Sequence, residues 1–181
     1  MFWGDCAVCV DGDAASGAAV SDWRLRPLRL EDAAALHEGM ADAEVMRYWS
    51  TPPHGTLGET EAFLRAGLEG GAREFVIECE GAVAGRVAVY GDDEVGFFLL
   101  RRYWGRGLMR RALEEVARRA FEEWGMERLF ADVDPRNAGS LGVLTRVGFV
   151  RTGEAARTWL VGGEWCDSVY LELRRDQAAG R

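Results

Sequence analysis

The sequence contains no lysine, and its 22 residues with a permanent positive charge are all arginine. A Schiff base needs a lysine amine, so every mechanism that forms one with a substrate or a cofactor is excluded. The remaining basic side chains are guanidinium groups and two histidines. A composition of this kind is typical of a GC-rich genome, and by itself it indicates no function.

Cysteine is also scarce, with four residues at positions 6, 9, 79 and 166. Only Cys6 and Cys9 have the spacing of paired metal ligands, and no second pair completes a zinc site. We therefore expect no metal. The thiols are expected to be free in a reducing cytoplasm.

Long apolar runs are absent, so the sequence predicts no membrane-spanning segment and no membrane partner. The first residues lack a basic segment followed by a continuous apolar core, which is the pattern of a secretory signal peptide. The expected location is therefore the cytoplasm.

The balance of charge is acidic, with a formal net charge of −8 and 48% hydrophobic residues over 181 positions. A chain of this length and composition is expected to form one globular domain with a sizeable core. The negative charge argues against nucleic acid as a partner and is compatible with a cationic one.

Strand-like and helix-like patterns alternate along the chain and predict an α/β (α+β) domain with a mixed sheet. We expect a single domain over residues 22–174, a flexible tail or an extra edge strand at 1–21, and a C-terminal tail at 175–181. The predicted strands are 23–28, 74–80, 82–90, 95–100, 129–133, 149–157 and 165–173. The predicted helices are 30–40, 43–48, 57–68, 108–124 and 138–147.

The most informative stretch is the junction between the predicted strand 95–100 and the helix that follows it. Gly105 and Gly107 let the backbone turn tightly there and approach an anion closely. The amides of the first helical turn add donors and a favourable dipole, so the junction predicts a phosphate site. Leu108 and Met109 stand where a P-loop needs Lys and then Ser or Thr, and a Rossmann fingerprint needs a third glycine.

Three motifs follow one another in the second half of the chain: Arg102-Tyr103-Trp104-Gly105-x-Gly107, Asn137-x-x-Ser140 and Gly163-x-Trp165-x-Asp167. The first resembles the acyl-CoA pyrophosphate loop of GNAT-type N-acetyltransferases. Together the three resemble the RimJ/RimL-like (Rim-type) branch, whose members acetylate protein N-termini. The resemblance implies a mixed, mostly antiparallel twisted sheet of about six to seven strands flanked by helices.

The same resemblance implies that acetyl-CoA is a co-substrate and that no metal takes part. In the family the pantetheine arm lies between the fourth and fifth strands, which implies backbone contacts with Phe98, Leu99 and Leu100. Asn137 would hold the pantetheine, and Ser140 would lie near the thioester sulfur. The residues implied for the pyrophosphate are Arg102, Gly105, Arg106, Gly107, Leu108, Met109 and Arg110.

Direct transfer of an acetyl group needs a neutral amine, a donor for the oxyanion and a proton or hydrogen bond for the departing thiolate. Many members of the family place a tyrosine general acid where this chain has Leu144. The Rim-type branch implies Ser140 as the replacement, which we expect to stabilise the thiolate by a hydrogen bond. Glu94 is the first candidate for the general base, Glu154 and Asp167 are alternatives, and a water relay needs none of them.

The acceptor site is expected near Tyr48, Trp49 and His54, which lie where the family has its variable substrate loops. Trp165 in the last predicted hairpin is a further candidate, with Trp159 close to it in sequence. Tyrosine and tryptophan are amphipathic and bind ligands well, but the same residues also pack in cores. An ordinary loop position is the alternative for His54.

The function expected from these motifs is transfer of acetyl from acetyl-CoA to a primary amine, with a protein or peptide N-terminal α-amine as first candidate. An aminoglycoside or a polyamine is the alternative acceptor, and a deep acidic pocket rather than an open groove would favour it. A non-catalytic acyl-CoA sensor is the alternative of another class. Both a monomer and a homodimer remain open.

Overall fold

The computed structural model describes residues 22–91 and 93–178. The predicted tail or edge strand at 1–21 lies outside these ranges, as does the end of the predicted C-terminal tail. The strands are β1 (Trp23–Pro27), β2 (Arg73–Cys79), β3 (Ala82–Tyr90), β4 (Glu94–Leu99), β5 (Arg128–Val133), β6 (Val150–Val161) and β7 (Glu164–Arg174). The helices are α1 (Ala33–Met40), α2 (Leu57–Glu69), α3 (Leu108–Glu122), α4 (Ala138–Val147) and α5 (Arg175–Ala178).

Seven strands form one sheet in the order β1-β2-β3-β4-β5-β7-β6. Every neighbouring pair is antiparallel except β4 and β5, which are parallel. The parallel pair arises because α3 connects these two strands and brings the chain back to the end of the sheet at which β4 starts. The predicted fold class, a mostly antiparallel mixed sheet of six to seven strands with flanking helices, is confirmed.

The helices pack on both faces of the sheet, as two neighbouring residues of β2 show. A Cβ on Gly67 of α2 would lie 2.3 Å from the Glu74 carboxylate, so Glu74 faces α2. Phe75 stacks on Trp124, just beyond the end of α3, with ring centroids 5.9 Å apart. Successive side chains of a strand point to opposite faces, so α2 and α3 cover opposite sides of the sheet.

Helix α3 is amphipathic, as its three- and four-residue apolar spacing predicts. Its buried residues are Leu108, Met109, Ala112, Leu113, Val116, Ala117, Ala120 and Phe121. Each large side chain among them stabilises the fold by about 1.5–3 kcal/mol. On its exposed side Glu115 pairs with Arg119 at 2.7 Å, and Glu114 pairs with Arg110 at 2.8 Å.

A buried ion pair lies between the sheet and α2, on the face of the sheet that α2 covers. Arg86 on β3 donates to both carboxylate oxygens of Glu74, at 2.6 and 2.7 Å, and neither side chain is exposed to solvent. The guanidinium group also donates to the hydroxyl of Tyr90 and lies 5.0 Å from the ring of Phe63. These contacts together compensate the cost of burying a charge.

One local prediction is wrong. Residues 43–48 form hydrogen-bonded turns instead of a helix. Val45 and Met46 are buried there, and the distant Arg101 forms ion pairs at 2.7 Å with Asp42 and Glu44 that fix the turns from outside the segment. Within the predicted C-terminal tail, α5 is a single helical turn that is anchored because Arg175 donates its backbone N–H to Glu127 O at 3.0 Å.

No helix in the two described ranges is both long and apolar enough to cross a membrane.

Candidate active site

The parallel strands β4 and β5 separate along their length. In the described structure they pair at one register position, Glu94 with Phe130, where the Phe130 N–H donates to Asp93 O at 2.9 Å. Beyond that position the strands run toward their carboxyl ends without pairing. The sheet therefore has a split between residues 95–99 of β4 and 131–133 of β5.

The register of β3 and β4 decides which backbone groups of β4 face this split. Leu100 donates its N–H to Ala84 O at 2.9 Å, so the pair 84 and 100 is hydrogen-bonded. In an antiparallel ladder alternate residues direct both backbone groups to the partner. The backbone N–H and C=O of Phe98 therefore face β3. In agreement, a Cβ added to Gly85 of β3 would lie 2.2 Å from the Phe98 carbonyl oxygen.

By the same alternation the backbone groups of Phe97 and Leu99 face the split. Of the residues expected to contact pantetheine, Leu99 directs its backbone groups into the split, as Phe97 does, whereas Phe98 directs them to β3. The amide of Leu100 is likewise directed to β3. The Leu99 carbonyl already accepts a hydrogen bond of 2.8 Å from Trp104 Nε1, which fixes the open end of β4.

A glycine-rich turn lies at the open end of the split, directly after β4. Gly105 and Gly107 have φ of 70° and 68°, the left-handed region in which a side chain is strained. Gly107 is the N-cap of α3, so the amides of Leu108, Met109 and Arg110 have no acceptor within the helix. This geometry fits a pyrophosphate, because it combines amide donors with the positive end of the helix dipole.

The arginines around this turn are held in exposed ion pairs. Arg106 donates to Glu80 at 2.8 Å, Arg110 donates to Glu114 at 2.8 Å, and Arg102 is paired with Glu38. Exposed pairs of this kind contribute only about 0–1 kcal/mol. The guanidinium groups are therefore able to exchange a carboxylate for a phosphate at little cost.

The opposite wall of the split ends in the Asn-x-x-Ser motif. Asn137 is the N-cap of α4, and its Oδ1 accepts the backbone N–H of Ser140 at 3.1 Å. The spacing of three residues is the one that N-capping requires, so the motif has a structural role as well as the expected functional one. Asn137 and Ser140 are both buried, and so is Leu144 one turn later.

One face of β5 and β7 is only partly covered. Along β5, Leu129, Ala131 and Val133 are buried, whereas Phe130 and Asp132 are partly exposed. Phe130 stacks on Tyr170 of β7 with ring centroids 5.8 Å apart. Trp159 of β6 reaches the same surface. We call Phe130, Asp132, Trp159 and Tyr170 the half-exposed face.

A narrow aromatic cleft continues from this face toward the 47–50 turn. Its lining includes Tyr48, Trp49, Asp134, Trp159, Cys166 and Asp167. Trp49 is 1% exposed and packs edge-on against Phe98 at 5.8 Å, so much of its ring belongs to the core. Its Nε1 is a buried donor without a hydrogen-bond acceptor among the described residues. A carbonyl oxygen in the cleft would satisfy it.

The charge of Asp134 in this cleft is compensated by Arg136, which donates from Nε at 2.9 Å and from Nη2 at 2.6 Å. Burial alone raises the pKa of Asp134, but the hydrogen bonds from Arg136 outweigh it and hold the pKa below its usual value. The Cys166 thiol lies 3.4 Å from Arg136 Nη2, and burial raises its pKa. At neutral pH Cys166 is therefore a thiol and a weak nucleophile.

Asp132 is the residue that the sequence analysis missed. Burial raises its pKa above the usual carboxylate value, and the charge of Asp134 adds to that effect. Hydrogen bonds from Ser168 and from Trp159 Nε1, the latter at 3.0 Å, oppose the rise without cancelling it. The available signal was one acidic residue inside the otherwise apolar stretch 129–133.

The other predicted carboxylates differ in position. Glu94 is partly buried at the closed end of the split, opposite Phe130. Asp167 borders the cleft and accepts a backbone N–H from Arg157 at 2.9 Å. Glu154 is exposed and paired with Arg151 on the outer part of β6.

Two predicted acceptor residues lie elsewhere. His54 bonds through Nδ1 to the buried hydroxyl of Thr60 at 2.9 Å, a hydroxyl that His37 also contacts at 2.8 Å. Burial lowers the pKa of His54. Trp165 is 47% exposed and lies beneath the guanidinium of Arg157, outside the cleft lining.

Within the part of the chain that the structure describes, no three His, Cys, Asp or Glu side chains are placed to hold a metal ion.

Comparison with known proteins gives a family match. The sequence model of the acetyltransferase (GNAT) domain matches residues 23–150. That range runs from β1 to the start of β6 and includes the split, the glycine turn and the Asn137-x-x-Ser140 motif.

Individual relatives act on different amines. Spermidine N(1)-acetyltransferase of Escherichia coli K12 is 28% identical over 161 residues, which are 85% of this chain and 87% of the relative. The [ribosomal protein uS5]-alanine N-acetyltransferase of the same strain is 32% identical over 79 residues, 44% of this chain and 41% of the relative.

A solved structure agrees on the fold. Spermidine N-acetyltransferase of Vibrio cholerae in complex with CoA and spermine superposes with a TM-score of 0.78 at 18% identity, over 88% of this chain and 99% of that one. The family match covers more than half of the chain, and the glycine turn lies where a pyrophosphate is expected. The chain therefore belongs to the GNAT family and is an acetyl-CoA-dependent N-acetyltransferase.

Proposed function

We propose that the acceptor is the α-amine at the N-terminus of a peptide or a protein. The observation that supports this class is the partial exposure of Phe130, Asp132 and Tyr170 on the half-exposed face, which continues into the cleft at Trp159. An extended chain fits on such a surface with its terminal amine at the split. A small amine is held better by an enclosed pocket.

The chemistry of this surface suits a cation. Asp132 and Glu94 share one face of the sheet, and the rings of Phe130, Tyr170 and Trp159 lie beside them. Carboxylates and aromatic rings both attract an ammonium group. The net charge of −8 adds a long-range attraction for a basic peptide.

The donor side of the reaction is supported by the split and the glycine turn. The backbone groups of Phe97 and the N–H of Leu99, which face the split, support pairing with pantetheine amides, and the left-handed turn at Gly105 and Gly107 supports binding of the pyrophosphate. Acetyl-CoA supplies an activated thioester when it is bound. Asn137, buried at the carboxyl end of β5, completes this side of the site.

An α-amine also matches the catalytic groups that the chain offers. Its pKa of about 7.7–8.0 leaves a useful neutral fraction at pH 7, whereas a lysine-like amine near 10.4 is almost wholly protonated. Ser140 is the group that we expect to bond the departing thiolate, because Leu144 has no proton to give. This function requires acetyl-CoA in the same compartment, so we expect the protein in the cytoplasm.

A polyamine is the second candidate, and one observation favours it. The spermidine N(1)-acetyltransferase of E. coli matches 85% of this chain, whereas the uS5-alanine N-acetyltransferase matches 44%. The same carboxylates and rings on the half-exposed face also suit a polycation.

The experiment is a rate measurement of CoA release from acetyl-CoA with three acceptor classes: peptides that model basic protein N-termini, spermidine with spermine, and an aminoglycoside. The matched control is the same peptide with a blocked α-amine and a free lysine. We expect the free α-amine peptides to be the best acceptors by kcat/KM and the blocked peptide to be inert.

Faster turnover of spermidine than of any peptide would contradict the peptide assignment and support the second candidate. Tight acetyl-CoA binding without CoA release in any class would contradict both acceptors and match a non-catalytic sensor.

A further inference from the structure

We infer that Asp132 is the catalytic base that takes the proton from the acceptor amine, an inference that rests on the proposed function. Asp132 lies on β5, two residues beyond Phe130, the position where β5 pairs with β4. It therefore stands at the start of the split and on the half-exposed face.

The register places Asp132 beside the part of β4 where the reacting carbonyl is expected. Because Glu94 lies opposite Phe130 in a parallel pair, Asp132 is level with Gly96. Gly96 presents no side chain at that level. The next residue, Phe97, directs its backbone groups into the split, where an N–H can donate to a thioester oxygen.

Glu94 is less well placed for the same role. It lies at the closed end of the split, two residues before Gly96. A strand advances by about 3.3 Å per residue, so Glu94 is offset by about 6.6 Å along the strand direction from the level that Gly96 and Asp132 share. A general base needs to be within hydrogen-bond reach of the proton, directly or through one water.

The carboxylate of Asp132 is held in a fixed orientation. Trp159 Nε1 donates to Oδ2 at 3.0 Å, and the buried hydroxyl of Ser168 provides a second hydrogen bond. Ser168 is in turn bonded to the hydroxyl of Thr158 at 2.6 Å. Two adjacent strands, β6 and β7, thus position the group from the side of the sheet away from β4.

The surroundings adjust Asp132 for proton transfer. Burial is the largest influence, and it raises the pKa of the carboxyl. A base whose pKa is closer to the working pH transfers protons more effectively. The titratable or charged groups on the same face of the sheet include Glu94, Arg128, Cys166, Tyr170 and Glu172, and Asp134 and Arg136 follow Asp132 along the chain. Arg136 compensates Asp134, and Arg128 pairs with Glu172 at 2.8 Å.

The proton balance closes without another reactant. The Asp132 carboxylate takes one proton from the ammonium form of the acceptor, and the freed nitrogen lone pair forms the bond to the acetyl carbon. The carbon–sulfur bond then breaks, and the second nitrogen proton passes to the thiolate. Asp132 returns its proton to solvent, so one proton is released for each amide formed.

The test is the pH dependence of kcat/KM for the unaltered protein and for Asp132→Asn with one N-terminal peptide. Asparagine has the same shape and still accepts a hydrogen bond from Trp159. We expect a loss on the order of 10²-fold or more at pH 7. The variant rate should rise with pH as far as the α-amine pKa, about 7.7–8.0, whereas the unaltered protein levels off earlier.

Two further variants separate catalysis from structure. Glu172→Gln removes a carboxylate from the same sheet face and is expected to keep kcat/KM within threefold. Trp159→Phe removes one hydrogen bond that lowers the Asp132 pKa, so the acid limb should move to higher pH. Acetyl-CoA affinity and thermal unfolding of each variant verify the fold.

Identical pH profiles for Asp132→Asn and the unaltered protein would overturn the inference and leave the proposed function intact. Loss of the acid limb in Glu94→Gln but not in Asp132→Asn would also overturn it. Absence of CoA release from the unaltered protein with every acceptor would instead contradict the proposed function, and this inference with it.

Discussion

Glu94 on β4 and Phe130 on β5 lie opposite each other at the one position where these parallel strands pair in the described structure. Everything that we assign to the active site follows from this single contact. β4 begins at this contact, and beyond it the two strands part toward the glycine turn and toward Asn137. The split thus has a donor end at the turn and an acceptor side on the half-exposed face.

The glycine turn predicts a selective loss of acetyl-CoA binding in Gly107→Ala. Gly107 has a φ of 68°, a conformation that destabilises a residue with a side chain by about 1 kcal/mol. The added Cβ also lies beside the expected phosphate. We expect KM for acetyl-CoA to rise about tenfold. Gly125→Ala is the control, because Gly125 has φ of 70° beyond the other end of α3. An equal rise of KM in both variants would contradict the phosphate assignment.

The N-cap of α4 predicts a separation of stability from binding. Asn137→Ala should lower the free energy of unfolding by about 1 kcal/mol, measured by urea denaturation. Asn137→Ser retains a capping oxygen, so it should be nearly as stable as the unaltered protein and still bind acetyl-CoA more weakly. Thr56→Ala removes the cap of α2 and should leave acetyl-CoA binding unchanged. Unaltered binding in Asn137→Ser would show that the residue is only a cap.

The buried pair of Arg86 and Glu74 predicts a large effect on the stability of the fold. Glu74→Gln leaves the buried guanidinium without its carboxylate, and we expect a loss of about 3–5 kcal/mol in the free energy of unfolding. Replacing both residues by methionine removes the charge as well, so the double variant should recover most of that loss. A double variant less stable than the single one would contradict this explanation.

The pKa of His54 predicts how the stability of the fold depends on pH. Its pKa is lowered in the folded protein, so the unfolded chain binds the proton more readily, and folded stability falls as the pH drops below about 6.5. His54→Gln should reduce this slope in thermal unfolding measured across that range. A steeper slope in the variant would reverse the sign and contradict the assignment.

Local features of this fold were predictable from sequence because they depend on neighbours along the chain. The apolar spacing of α3, its glycine N-cap and the capping distance from Asn137 to Ser140 all belong to this class. The three motifs led to the family for the same reason. The 43–48 segment misled the prediction, because its buried residues pack as turns under the influence of distant contacts.

Other features depend on strand pairing and are invisible in the sequence. Whether Phe97 or Phe98 turns its backbone into the split is set by one hydrogen bond between Leu100 and Ala84, residues of different strands. Asp132 matters only because the register brings it level with Gly96. His54 is hydrogen-bonded to Thr60 of α2, so it lies outside the site that its loop position suggested.

The most direct test of the account is amide hydrogen exchange, measured with and without acetyl-CoA. We predict slower exchange at the amides of Phe97 and Leu99 and across residues 105–110 when acetyl-CoA is bound. The amide of Phe98, already directed to β3, should change little. Protection confined to other parts of the sheet, with residues 105–110 unaffected, would contradict the assignment of the split and the glycine turn as the acetyl-CoA site.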